Sequence, residues 1–301
     1  MHAPALFNAF VRLRWLEAVR SEVILHWKFN RYDIAATFIP GLLFVLAAWH
    51  ADQPDYSALP SRLFWGSLYF WLYCSVFCIS NQLAGEQEDR LNKPDRPLPA
   101  GLVTRHGARG RWLIVMGLFT LAGWRLGVLE WALLWQAVLV LHNQGGASRH
   151  YATKNLVMVF GAVAQLAAAW QMVRPLTPTA WDWILVLALP LLTHVSLQDL
   201  RDVAGDRAVG RRTLPIVFGE WPSRLLLAGA FALLPLATHF VLLAPLGPRP
   251  DVVTLDVLLA AFCLVIAGRI LWLRYPAADH RTYMLYNYWY CFTLAAAIVV
   301  L

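Results

Sequence analysis

Two short stretches of the chain carry more chemistry than their surroundings. In LQDLRDVAGDRAVGRRTLP, residues 197–215, Asp199, Asp202 and Asp206 stand at i, i+3 and i+7, so a helix puts all three carboxylates on one face. In NQLAGEQEDRLNKPDRPLPAG, residues 81–101, Asn81, Gly85 and Asp89 are spaced by four, and Gln82, Glu86 and Asp89 form an i, i+4, i+7 set. Pro94 and Pro97 then stop that helix. Each acidic helix end runs into a basic loop of one pattern: Arg96-Pro97-Leu98-Pro99 with Gly101, and Arg212-Thr213-Leu214-Pro215 with Gly219. Carboxylates sharing a face repel each other unless cations sit between them. Oxygen ligands without His or Cys at ligand spacing suit Mg²⁺, which typically takes one or two carboxylates plus substrate phosphate oxygens. Two facing clusters flanked by Arg and Lys would therefore hold a diphosphate through bridging Mg²⁺. One such cluster alone would more often be an ordinary solvated helix end; repetition of the whole pattern argues against that.

The elements that must position these ends are hydrophobic. The 301-residue chain is 59% hydrophobic and 14% charged, with a mean hydropathy of +0.52. A soluble protein carries roughly 25% charged residues, so an all-α integral membrane protein is expected. Nine apolar stretches approach the roughly 20 residues that a bilayer-spanning helix needs. They lie near 34–49, 61–84, 111–128, 130–146, 155–173, 181–198, 223–244, 254–273 and 282–301. Residues 1–33 are amphipathic and basic, lack the apolar core and cleavage site of a signal peptide, and are expected along the membrane surface. No linker divides the chain, so 1–301 reads as a single transmembrane domain with 34–301 as a nine-helix bundle. Of 25 Lys and Arg residues, all but Arg62, Arg125, Arg174 and Arg249 fall in or beside alternate connections. By the positive-inside rule the N-terminus and both acidic loops face the cytoplasm of a cell or inner membrane.

The same distribution excludes other classes. A net charge of +7 dispersed over short loops is a topology signal with some attraction to anionic lipid, not a nucleic-acid footprint. Cys74, Cys78, Cys263 and Cys291 all lie in apolar stretches and lack the other ligands of a zinc or iron–sulfur site. A transporter would place its charged site near the bilayer midplane rather than at helix ends. No obligatory protein partner is evident.

Taken together, these residues resemble the UbiA superfamily of intramembrane prenyltransferases. Asn81, Asp89, Asn92, Pro94, Arg96, Pro97, Leu98, Pro99 and Gly101 match its first motif and the loop after it. Asp199, Asp202, Gly205, Asp206, Gly210, Arg211, Thr213, Leu214 and Pro215 match the second. The likeness implies nine transmembrane helices around a central cavity capped by cytoplasmic loops, Mg²⁺ as cofactor and an isoprenyl diphosphate as substrate. Gln82 and Gly85 stand where the first motif usually has Asp, with Glu86 and Glu88 next door. That variant is similar to the branch containing membrane-bound terpene cyclases.

The resemblance and the spacings give each residue an expected role. Asp89, Glu86, Asp199, Asp202 and Asp206 are the metal candidates, with Asn81 as a neutral oxygen donor. Lys154, Arg96, Arg212 and Arg201 are expected on the diphosphate, although Arg212 has the alternative of holding a loop to a carboxylate. His150 and Asn155 beside Lys154 look like further family contacts to that group, His150 taking the place of the usual Tyr. An allyl cation needs walls that neither add to it nor deprotonate it, and aromatic faces attract cations by about 0.5–2 kcal/mol each. Trp65, Tyr69, Tyr73 and Phe77 recur every four residues, and Tyr283, Tyr286 and Tyr290 follow i, i+3, i+7. Tyr69, Tyr73, Phe77, Tyr286 and Tyr290 are the candidate cavity lining, the alternative being lipid-facing stripes. His142, Asn143 and His194 are polar residues in apolar stretches, which tend to face a cavity; one of them could remove the final proton, and structural hydrogen bonding is the alternative for each. The expected activity is ionisation and cyclisation of an isoprenyl diphosphate, farnesyl diphosphate favoured, with transfer to an aromatic or other lipophilic acceptor as the alternative.

Overall fold

A computed structural model of the protein describes residues 3–51 and 56–301, with side chains from Arg14 onward in the first helix. It is all-α. The helices are α1 (Ala3–Asn30), α2 (Phe38–His50), α3 (Leu59–Asn92), α4 (Arg105–Arg125), α5 (Leu129–Asn143), α6 (Tyr151–Gln171), α7 (Pro178–Ala188), α8 (Leu191–His194), α9 (Asp199–Ala208), α10 (Leu214–Phe218), α11 (Glu220–Ala237), α12 (Pro250–Trp272) and α13 (Pro276–Val300). Among the described residues six helical segments are long and apolar enough to cross a membrane: Leu59–Asn92, Tyr151–Gln171, Pro178–Ala208, Glu220–Leu246, Pro250–Trp272 and Pro276–Val300. Phe38–His50 is a shorter apolar helix. The fold is thus that of a multi-spanning membrane protein.

Prolines explain where the rods start, bend and stop. Proline has no N–H to give a helix interior but suits the first turn. It opens α7, α10, α12 and α13 accordingly. Pro190 separates α7 from α8, and the chain runs through a 3₁₀ turn at Val195–Gln198 before α9 begins at Asp199. Pro235 lies inside α11 and is followed by a π-helical stretch, Thr238–Leu243. The break in α3 has a different cause: Gly85 takes a non-helical conformation (φ −102°, ψ 17°), which turns the last two helical turns out of phase with the rest.

Helices adjacent in sequence pack side by side, and α13 closes onto α2, so the rods form a ring. One apolar core runs through it, with Trp170, Trp183, Trp289 and Phe231 fully buried. The outer surface is apolar too, as lipid contact demands, with Leu113, Ile114, Leu233, Val257 and Trp272 exposed. α1 leans on α3 and leaves Trp15, Leu16, Val19, Val23 and Trp27 uncovered.

Candidate active site

The ring encloses a cavity of about 560 Å³, and its mouth is where the two acidic helix ends meet. The C-terminal end of α3 lies against α9, and Gly205 sits so close to the Asn92 amide that a Cβ there would collide with it. Only glycine permits so near an approach. The two rim loops join through main chain: Arg212 N–H donates to the Arg149 carbonyl (2.7 Å), and Tyr151 N–H to that of Arg212 (3.0 Å).

Each acid at the mouth has a cationic neighbour. Arg96 reaches both oxygens of Asp89 at 3.0 Å and stands 3.6 Å from Asp33, in the turn between α1 and α2. Arg211 bridges the two clusters, donating to Glu88 at 2.5 Å and to Asp206 at 3.0 Å. The Lys154 ammonium rests on Asp199, and both side chains are buried. Asp202 is less enclosed, between Arg201 (3.4 Å) and Lys93 (3.8 Å). Burial by itself would weaken the charge on Arg96, but Asp33 and Asp89 more than offset this and hold the guanidinium above its ordinary range. Arg211 is held up in the same way against burial by Glu88 and Asp206. At the rim, a hydrogen bond from Tyr32 holds the Asp95 carboxyl below the usual range.

Two carboxylate oxygens remain unsatisfied. Asp199 Oδ2 and Asp206 Oδ2 are buried with no hydrogen-bond partner among the described residues. A buried anionic oxygen without a partner is costly, and a hard cation is the ligand that this chemistry fits. Among the described residues no three His, Cys, Asp or Glu side chains form a ready-made metal centre. Mg²⁺ takes one or two carboxylates and leaves its other places to phosphate oxygens and water.

Most expected site residues meet here, and some do not. Asn81, Asp89, Asp199, Asp202, Asp206, Lys154, Arg96 and Arg201 line the cavity, as do Tyr73, Phe77, Tyr286 and Tyr290. Glu86 does not: beyond the break at Gly85 it turns outward to Arg90 (2.8 Å) and Arg105 (3.0 Å), and Glu88 takes the inner position. Arg212 is replaced at the mouth by Arg211, one residue earlier. Asn155 is buried against α8, donating to the Leu192 carbonyl and the Ser196 hydroxyl. His150 caps α6, accepting from Ala152 N–H, and lies against Tyr151. Tyr69 is fully buried against Phe70 and Phe119, behind the cavity wall. Trp135, which the sequence did not single out, stacks on Tyr73 at 4.7 Å and 9° and completes the aromatic wall.

This geometry is the setting for the comparisons. The chain matches the UbiA prenyltransferase family over residues 37–291. It belongs to that family. It is 46% identical over 280 residues to Somaliensene A/B synthase of Streptomyces somaliensis, covering 93% of this chain and 94% of that one. It is 37% identical over 283 residues to Diterpene cyclase eriG of Hericium erinaceus, covering 92% and 88%. A solved structure of a UbiA homolog from Archaeoglobus fulgidus, bound to GPP and Mg²⁺, shares the fold with a TM-score of 0.66 at 14% identity, covering 91% of this chain and 99% of that one.

Proposed function

We propose that this member of the UbiA family ionises an isoprenyl diphosphate with Mg²⁺ and cyclises the carbocation within the membrane, releasing diphosphate. The observation that carries the reading is the pair of unsatisfied buried oxygens, Asp199 Oδ2 and Asp206 Oδ2. They stand at the mouth of a cavity ringed by Lys154, Arg96, Arg201 and Arg211 and walled beyond by aromatic faces. Asp199 and Asp206 would hold Mg²⁺ first, with Asp202 and Asn81 beside them; Asp89, already engaged by Arg96, comes second. Bound Mg²⁺ supplies electrophilic neutralisation of the leaving diphosphate. Lys154 and Arg211 would receive phosphate oxygens and stabilise the charge that accumulates as the C–O bond breaks. Tyr73, Trp135, Phe77, Tyr286 and Tyr290 then face the prenyl chain and exclude water. The Archaeoglobus fulgidus structure with GPP and Mg²⁺ supports the ligand pair, and the cyclase relative supports the outcome.

Farnesyl diphosphate, favoured from the sequence for fitting within one leaflet, competes with the longer chain implied by the word diterpene in that relative's name. Transfer to an acceptor is the second reading, favoured by the family's description as prenyltransferases. Purified protein with Mg²⁺ and geranyl, farnesyl or geranylgeranyl diphosphate, without acceptor, is expected to release diphosphate and a cyclic hydrocarbon or alcohol seen by gas chromatography–mass spectrometry. Turnover that begins only when an aromatic acceptor is added overturns cyclisation in favour of transfer.

The proposed topology is one unit of nine crossings, with residues 1–33 along the membrane surface and the mouth in the cytoplasm. The six long apolar helices, the further rods α2, α4 and α5 and the alternation of Lys and Arg support it. An odd count puts the two termini on opposite sides. Reporters at both ends responding from the same side would overturn it.

A further inference from the structure

Cyclisation to a hydrocarbon leaves one step without a residue, the removal of a proton from the last carbocation. We infer that His142 takes that proton through Nε2, an inference that rests on the proposed cyclisation. Two imidazoles are buried within the helical ring, and the structure separates them. His194 is bonded through Nδ1 to the Pro190 carbonyl (2.7 Å) and packed edge-on to Phe231 (4.2 Å), and it is not part of the cavity wall. His142 is part of that wall.

The neighbours of His142 suit its Nδ1–H tautomer. The Asn143 amide nitrogen donates to the Ser80 hydroxyl (2.9 Å), which a second amide, Gln144, also approaches (3.1 Å). That orientation turns Asn143 Oδ1 toward His142 Nδ1 at 2.8 Å, and a carbonyl oxygen can only accept. This arrangement accommodates the Nδ1–H tautomer, in which Nε2 carries the lone pair. The pair His142–Asn143 is thus wired like a general base with its orienting partner.

Its position suits the task. Tyr73 stacks on Trp135, Phe77 lies over Trp135 at 5.4 Å, and the His142 ring is 5.8 Å from Phe77. Three aromatic faces thus lead to one imidazole. A π face attracts a cation but takes no proton; the Tyr73 hydroxyl donates to the Gly161 carbonyl (2.9 Å), and the last member of the row is the one with a basic ring nitrogen. Lys154 and Arg211 line the same cavity as His142. In the step itself the C–H bond beside the cationic carbon breaks, its electron pair becomes the new C=C bond, and the proton goes to Nε2. The imidazolium then passes the proton to the diphosphate anion released into the same cavity, restoring the neutral ring.

The test uses the full chain in detergent or nanodiscs with Mg²⁺ and the isoprenyl diphosphate on which the wild type is active. His142→Phe keeps the aromatic volume and removes the base. Diphosphate release is expected to persist, while the wild-type olefin per diphosphate released falls by about a hundredfold, the scale of a lost general base. Olefins from earlier cations or water-quenched alcohols should replace it. Should His142→Phe fail to fold, His142→Gln, which keeps a polar group beside Asn143, is expected to show the same redistribution. An unchanged product profile in a folded variant overturns the assignment of His142 alone. A wild type that releases no diphosphate from any isoprenyl diphosphate overturns the parent reading, and this one with it.

Discussion

The two acidic helix ends look alike in sequence and are used differently in the fold. At the end of α3 every acid is committed: Asp89 holds Arg96 with both oxygens, Glu88 holds Arg211, and Glu86 faces outward to Arg90 and Arg105. At α9 the acids are only half committed, because Asp199 and Asp206 each give one oxygen to a cation and keep one buried and free. Gln82 shows the same contrast from the other direction. It stands where the family's first motif usually has Asp, and it reaches away to the Phe29 carbonyl (3.2 Å), tying α3 to α1. The α3 end therefore acts as a frame that holds guanidinium groups in place, and the α9 end is the one that keeps carboxylate oxygens for the proposed divalent ion.

Substitutions at the two ends should separate these roles. The largest effect belongs to the frame: Asp89→Leu strands a buried Arg96 and is expected to cost about 3–5 kcal/mol of stability, read from the unfolding midpoint in detergent. A variant as stable as the wild type would show that Asp33 alone can hold Arg96. Next comes the ion-accepting end. Asp206→Ala is expected to slow diphosphate release about a hundred- to a thousandfold, the scale of losing one electrostatic stabiliser, and near-normal turnover would remove Asp206 from the metal site. Gln82→Asp restores the usual family acid, yet it should add no activity and should lose roughly 1–3 kcal/mol by setting a carboxylate against a carbonyl. A gain in Mg²⁺ affinity would instead show that the α3 end can take an ion. The smallest change is expected for Glu86→Gln, at most about 1 kcal/mol, because Arg90 and Arg105 are largely solvated; steady-state turnover should stay close to that of the wild type.

What could be read from the chain follows from periodicity. The Asp199, Asp202, Asp206 face was legible because that stretch is helical from its first acid to its last. Glu86 was not, since the i, i+4, i+7 pattern assumes one unbroken helix and Gly85 breaks it between Gln82 and Glu86. Arg211 and Arg212 could not be told apart because loop side chains have no period; the motif match at Arg211 was the available signal. The echo between the halves survives with that change, as Asp89 pairs with Arg96 and Asp206 with Arg211, both at 3.0 Å. Stripes locate a helix face but not its depth, which is why Tyr73 and Phe77 reach the cavity and Tyr69 stops behind it. Trp135 and Asp33 come from distant segments and join the site only through packing.

The contact between Gly205 and Asn92 has a consequence for tuning such an enzyme. It brings the ends of α3 and α9, with the acids they carry, against each other at one point. A methyl at position 205 would meet the Asn92 amide first, and that side chain would have to leave its place at the mouth with neither set of acids changed.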